Sequence, residues 1–580
     1  MASLQPRSPG GKTKYWSIVE SRRVNGRPVP FIVEYLGTAD NLLERLRGDG
    51  DEYTIRSYEH GTVAALLSLA HRLDLPALIN KHVASPRRYM PRQPVRNGLT
   101  AGMTLLLGAV GRVCMPTSKR GWWEWAKDTS CAYLLGCGLS GIDSQHFWDL
   151  MDALPVEAIE PLEAELLARL QAIEGFDRET LLFDTTNFFT YIATTNARCT
   201  IAQRGKNKQK RVDLRQVGLA LAVTRHDGIP LFHLSYEGNR HDSPVFGQVL
   251  AALDRRLRAL DLDPGLHTLV FDRGNNSKAN LDAVEALGLH YVGALTPYQH
   301  AALVQRAQDA TESVEVQGRT LDVYRGKHAI WGRERTVLVF VSDRLKAGQW
   351  RGIHQTLHKK EETLRALQAG LRAKPRPAAQ RAQLEAQLAR LAKGPFLRGI
   401  IAYHVMDTDN RLQFEFTIDQ ERLAALEDEL GFRILMTSRH AWSTPAIIET
   451  FYGQADVERA FKDVKNPHHL AIRPQFHWTN QKIRIHFFMC VLGYMLATVL
   501  LHQARDKAGF KGSMDTLLDS LRSIRLSVKA QRTGKPGKPR LTYKLEQSDP
   551  EQAALFQALG LEQFHVDRPK FNGVSVYAGQ

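Results

Sequence analysis

Cysteine is scarce: the 580-residue chain has five (Cys114, Cys131, Cys137, Cys199 and Cys490), odd in number and with no Cys-x-x-Cys pair. That pattern excludes a disulfide framework, speaks against a structural zinc site and fits a reducing cytoplasm. Long hydrophobic runs are missing too. The most apolar stretch, residues 487–501, contains Gly493, Tyr494 and Thr498. It is shorter than the ~20 residues a bilayer crossing needs, so it reads as a buried core helix and no membrane association is expected. Residues 1–16 have no apolar core, so no secretory signal is expected either. Acidic charge is the scarcer sign: 61 Asp and Glu face 77 Lys and Arg, a net +16. Such a field favours polyanions, of which nucleic acid is the commonest. What remains is ordinary for a globular protein, 43% apolar and 24% charged, in a chain too long for one hydrophobic core.

Residues 1–57 read as an N-terminal β-hairpin region, with Asn25-Gly26 supplying the positive φ of a tight turn. Residues 58–175 have helical spacing and are the candidate DNA-binding domain. They contain Lys119-Arg120-Gly121-Trp122-Trp123, equally readable as a DNA contact or as a basic surface over a tryptophan-anchored core. From Thr180 the period changes to β-β-β-α-β-α-β, with Asp227-Gly228 as the turn between the second and third strands. Three meandering strands followed by α/β alternation predict an α/β fold: a mixed sheet of the RNase H kind with helices on its faces. Residues 176–300 form its first part and 437–505 its second. Between them, 301–436 read as an insertion of strands (one pair joined at Asp409-Asn410) and a helical hairpin. Its apolar stripes are Leu357, Leu364, Leu367, Leu371 and Leu384, Leu388, Leu391, separated by Lys374-Pro375-Arg376-Pro377. Residues 506–580 read as a basic helical region, within which the Gly/Pro-rich stretch 529–544 is expected to be a flexible, DNA-touching loop or linker.

Two apolar strands end alike, in Phe183-Asp184 and Phe271-Asp272. In an RNase H-like sheet the first and fourth strands are parallel neighbours, so Asp184 and Asp272 would converge. Close carboxylates stay ionised together only around positive charge, and a hard divalent cation such as Mg²⁺ suits oxygen ligands. A third carboxylate is sought on a helix. Phe451, Gln454, Glu458, Phe461 and Lys465 step by alternating threes and fours along one helical stripe, which centres Glu458 between aromatics. The competing reading puts Glu458 at a solvated edge, paired with Lys462. Glu449 and Asp456 lie on other faces.

These residues resemble the DDE transposases of bacterial insertion sequences, in the broad group named insertion sequence family four. That group's helix signature is Tyr-x2-Arg-x3-Glu-x6-Lys. Glu458 and Lys465 match it, while Phe451 and Gln454 stand where it has Tyr and Arg. The regions around Asp184 and Asp272 and the stretch from Arg473 to Trp478 agree as well, and such proteins carry a strand-rich insertion between the second Asp and the Glu. The resemblance implies DNA transposition: metal-dependent cleavage at the element's ends and strand transfer into target DNA. It makes Asp184, Asp272 and Glu458 the catalytic and metal-binding residues, with two Mg²⁺ ions and Mn²⁺ as a substitute. It makes Gln454, Lys465, Arg473 and His477 DNA contacts. The implied partners are the terminal inverted repeats, target DNA and a second copy of the chain. The alternatives left open are an RNase H-like nuclease without strand transfer and a domesticated DNA-binding protein.

Overall fold

The computed structural model describes residues 2–8, 14–24, 27–47, 53–83, 99–207, 209–240, 242–309, 311–409, 411–531 and 539–562. They form two compact units. The first comprises residues 1–178, 184–262 and 456–580, and the second 179–183 and 263–455.

The first unit is built on apolar helices. Ala101–Cys114 is buried along its whole length, and Asn480–Ala508 carries the apolar run through the interior. The latter is long and apolar enough to span a bilayer, yet 89% of its apolar window is buried within the protein. The two helices pack closely because glycines face the contact. A Cβ on Gly493 would stand 3.0 Å from the Ala109 carbonyl oxygen, and one on Gly108 would collide with the Met489 side chain. Beside them Glu163 is enclosed against Arg256 at 2.6 Å and His233 at 2.5 Å. Burial pushes the Glu163 carboxyl up, and the charges of His233 and Arg256 more than offset it, leaving it below its ordinary value.

Two small antiparallel sheets also belong to this unit. Ala2–Arg7, Tyr15–Val24 and Arg27–Thr38 form one, so the N-terminal hairpin gains a third strand. Its expected turn, Asn25-Gly26, lies outside the described residues. The other sheet joins Tyr53–Glu59, Arg525–Gln531 and Arg540–Leu545. The segment 529–544 is therefore strand at both ends rather than a loop throughout, residues 532–538 lying outside the description. The C-terminal region is likewise not purely helical. Lysines and arginines mask the alternation there, and on these largely solvent-facing strands their charged ends reach water.

In chain order the strands of the main sheet are β1 (Thr180–Thr190), β2 (Arg215–Thr224), β3 (Pro230–Glu237), β4 (Thr268–Phe271), β5 (His290–Leu295), β6 (Glu312–Val316), β7 (Arg319–Ile330), β8 (Arg333–Val341) and β9 (Phe432–Thr437). The first unit holds residues 184–190 of β1 with β2 and β3, in the order β1-β2-β3. The β2–β3 turn has positive φ at Gly228, as the Asp-Gly signal expects, but its other positive φ falls on His226 rather than on Asp227. The second unit holds residues 180–183 of β1 in the order β6-β7-β8-β9-β5-β4-β1. β1 pairs in parallel with β4, and β4 with β5. A three-strand meander whose first strand runs parallel beside the fourth is the RNase H-like order expected from sequence.

The insertion does not form a sheet of its own from β6, β7 and β8. They extend the main sheet through β9, which is antiparallel to β5 and to β8. The helical hairpin is present as Asp343–Ala373 and Arg381–Ala392. Leu357, Leu364, Leu371, Leu384 and Leu388 are its buried residues, with Leu367 and Leu391 partly buried. The core is completed by Leu412 and Phe414 of the hairpin Ile401–Thr408 and Arg411–Ile418; the turn residue Asn410 lies outside the described residues.

Removing Glu163 leaves the enclosed Arg256 guanidinium without its anion and His233 without its carboxylate partner. Glu163→Ala is expected to cost about 3–5 kcal/mol of stability, read as a lower denaturation midpoint in urea.

Candidate active site

Leu181, Leu182 and Phe183 of β1 and Leu269, Val270 and Phe271 of β4 are all essentially inaccessible to solvent. Their burial fixes the register, whose last pair is Phe183↔Phe271. Asp184 and Asp272 are the residues that follow. At Asp184 β1 turns from buried to half-buried; its Oδ1 accepts from the Thr185 backbone N–H at 2.7 Å. Asp272 is exposed where β4 ends, and its Oδ1 accepts from the Arg273 N–H at 2.7 Å, capping a short 3₁₀ turn. Asp272 thus follows the end of its strand, whereas the strand expected to end at Asp184 runs on to Thr190, and Asp184 sits where its continuous burial stops.

The third residue lies elsewhere than its stripe suggested. Gly453 divides that region into two helices, Thr444–Tyr452 and Gln454–Asp463, and Lys465 falls in the turn beyond the second. The inward face of the second helix is Val457, Ala460 and Phe461, continued by Val464. That i, i+3, i+4, i+7 set is offset by one position from the stripe through Glu458, so Glu458 is exposed rather than centred among aromatics. Among the described residues neither Lys462 nor any other cation forms an ion pair with it. Among the described residues, too, no group of three or more His, Cys, Asp or Glu stands together as a ready-made metal site.

Lys465 is firmly placed. Its Nζ donates to the Thr186 hydroxyl on β1, two residues past Asp184, and lies 5.5 Å from the centre of the Phe188 ring and 5.9 Å from that of Phe461. These contacts hold an ammonium beside the strand that carries Asp184. Gln454 is half-buried, with an Nε2 that has no hydrogen-bond partner. Arg473 is exposed. His477 is not a surface residue: it is buried, its ring 4.9 Å from that of His486, and burial holds its imidazole well below the usual range and therefore neutral. In the aromatic–basic cluster, Trp122 is core, donating its indole N–H to the Leu107 carbonyl at 3.0 Å, whereas Lys119 and Arg120 line a cavity.

Sequence reasoning overlooked Asp463, at the end of the Gln454–Asp463 helix. Burial and, next, the Asp515 carboxylate push its carboxyl up to about 6. Its spacing from Val457 and Phe461 matched neither stripe, so nothing in the pattern pointed to it. Because its proton is held more tightly in the folded chain, this group's stabilisation is complete below about pH 4 and is lost as the pH rises to about 6. Across that window the wild-type chain is expected to lose up to about 2–3 kcal/mol that Asp463→Asn does not lose, as urea unfolding at a series of pH values measures.

Residues 177–496 match the family model described as Transposase DDE domain. No curated protein matches the chain. Among solved structures, a piggyBac transposase in a synaptic complex with hairpin DNA, determined by cryo-EM, is similar at 10% identity over 79% of each chain, with a TM-score of 0.39. That likeness is too slight to bear on fold or site.

Proposed function

Since the chain belongs to the transposase DDE domain family, we propose that its DNA transposition chemistry is carried by Asp184, Asp272 and Glu458. The protein is a DDE transposase, an enzyme that cuts DNA and transfers the cut strand. The observation that supports this choice of residues is the β1–β4 register: two buried parallel strands each release an aspartate immediately after their last pair, Phe183↔Phe271.

The donor set fits a hard divalent cation. It offers only carboxylate oxygens, and Asp272 and Glu458 are exposed and held by no ion pair among the described residues. The family is generally dependent on divalent metal; two Mg²⁺ ions, replaceable by Mn²⁺, are the proposed ions, held by Asp184 and Asp272 with Glu458 completing one site. When bound they lower the pKa of water and neutralise charge gathering on the phosphoryl oxygens. The side chains have the remaining tasks. The aspartates, seated on rigid strands, fix where the scissile phosphate is held. Glu458, on a solvent-facing helical position, accepts the proton of the attacking water or of the 3′-hydroxyl. Lys465 gives a point charge to a phosphate near the cut, and Gln454, Arg473 and His477 contribute to holding DNA.

The spacing of Glu458 and Lys465 supports membership of the insertion sequence family four group. Residues 58–175 are proposed as the module that reads the terminal inverted repeats, 176–300 and 437–505 as the two catalytic parts, and 301–436 as the insertion. A homodimer is proposed to pair the two ends, and the cytoplasm is its place of action, in keeping with five buried free thiols.

With labelled terminal repeats and Mg²⁺, Asp184→Asn, Asp272→Asn and Glu458→Gln are each expected to lower the cleavage rate about a thousandfold, several kcal/mol of lost charge stabilisation, while duplex binding stays within about twofold. A variant that cleaves at the normal rate removes its residue from the site. Cleavage without joined products turns the assignment to a nuclease.

A further inference from the structure

The first unit contains a cavity of about 470 Å³ formed by the helix Ala101–Cys114, the turn after it, the helix Ser144–Asp152 and the loop leading into Asn480–Ala508. Tyr191, just past the end of β1, is tied to that loop by its N–H to the Gln475 carbonyl at 3.0 Å. Asp184 lies six residues back from the end of the same strand, about 20 Å by strand rise, so the cavity is separate from Asp184.

Its lining is unusual for a protein interior. Lys119 is only 8% exposed, and among the described residues its ammonium has no hydrogen-bond acceptor, only the Phe147 ring at 5.5 Å. Three donors left unmade in a buried place favour an anionic oxygen that would supply their acceptors. Burial and, next, the neighbouring Arg112 hold this ammonium down to about 7, which marks how poorly the protein's own groups support its charge. Arg112 already commits its two terminal nitrogens to the carbonyls of Thr117, Ala471 and Arg473. Arg120 adds a second, exposed cation at the rim.

Aromatic rings share the lining with these charges. Phe476 and Trp478 are 57% and 52% exposed although they line the cavity, and Trp148 joins them. Exposed rings beside lysine and arginine are the pairing by which proteins hold unstacked bases. His486, also in the lining, donates from Nε2 to the Ile472 carbonyl at 2.8 Å, which makes Nδ1 an acceptor, and that buried Nδ1 has no partner. Amino and imino groups on a base edge are donors of the complementary kind.

We propose that this cavity binds an unpaired nucleotide, its base stacked on Trp478, Phe476 and Trp148 and its phosphate on Lys119 and Arg120. The inference rests on the reading of the chain as a DNA-processing enzyme and adds to it a second nucleic-acid site. Two sources share this chemistry, a single DNA strand and a free nucleotide.

The test follows tryptophan emission and binding of a labelled 20-nucleotide single strand, a duplex of the same sequence, dAMP and inorganic phosphate to the full-length protein. Expected are quenching by dAMP and by the single strand, and about tenfold weaker single-strand binding in both Lys119→Met and Trp478→Ala, with duplex binding within about twofold. Trp478 is exposed, so its variant tests the site even if Lys119→Met misfolds. A strand that binds at least ten times more tightly than dAMP supports the site with DNA as its source; equal affinities support it with the free nucleotide. Inorganic phosphate competing as well as dAMP overturns it in favour of a plain anion site. Unchanged single-strand binding in Trp478→Ala, or equal losses for strand and duplex, also overturns it. Cleavage by Asp184, Asp272 and Glu458 is measured independently, so that reading survives such a failure.

Discussion

Everything proposed for this enzyme depends on how β1 and β4 are held. Phe183 and Phe271 form the last pair of a parallel ladder whose side chains are removed from water, so neither strand can slip without exposing its apolar set. Aspartate follows in both. Desolvated strands give rigidity, and the change to a half-buried or exposed position one residue later gives access to solvent, ions and substrate. Hydrophobic burial of the two strands thereby positions both carboxylates at the point where β1 and β4 leave the interior.

The surroundings extend the same economy. Thr186 and Phe188, further along β1, fix Lys465 through a hydroxyl and a ring face, so one strand serves both an acidic and a basic group. The helices of the first unit approach through Gly108 and Gly493, and its enclosed Glu163–Arg256–His233 cluster specifies how the helix that carries Glu163 meets β3 and the helix after it. The second unit spends its insertion on widening the sheet, with β9 returning beside β5 and accepting β8, β7 and β6 in turn.

Much of this was legible in the chain. The apolar runs before Asp184 and Asp272, the strand end at Asp272, the three-strand meander, the leucine stripes and the buried apolar helix all rest on local periodicity and turn chemistry, which sequence displays directly. The helix bearing Glu458 shows the limit. Two stripes coexist there, one through Phe451, Glu458 and Phe461 and one through Val457, Ala460, Phe461 and Val464, and only packing selects the second. Gly453 breaks the helix at a point where the threes and fours run on undisturbed. The C-terminal strands at Arg525–Gln531 and Arg540–Leu545 were hidden because their pairing with Tyr53–Glu59 spans almost the whole chain, which no local pattern records. The cavity at Lys119 was half visible: the basic–aromatic cluster stood out, but Phe476, Trp478 and His486 reach it only through tertiary folding.

The central claim is that the residues following the β1–β4 ladder hold divalent metal. Iron(II) placed in that site with duplex DNA, followed by ascorbate and peroxide, cuts the polypeptide where the ion is held. The account predicts cuts clustered beside Asp184, Asp272 and Glu458, suppressed by excess Mg²⁺ and lost in Asp184→Asn. Cuts confined to other segments, or unchanged in that variant, would contradict it.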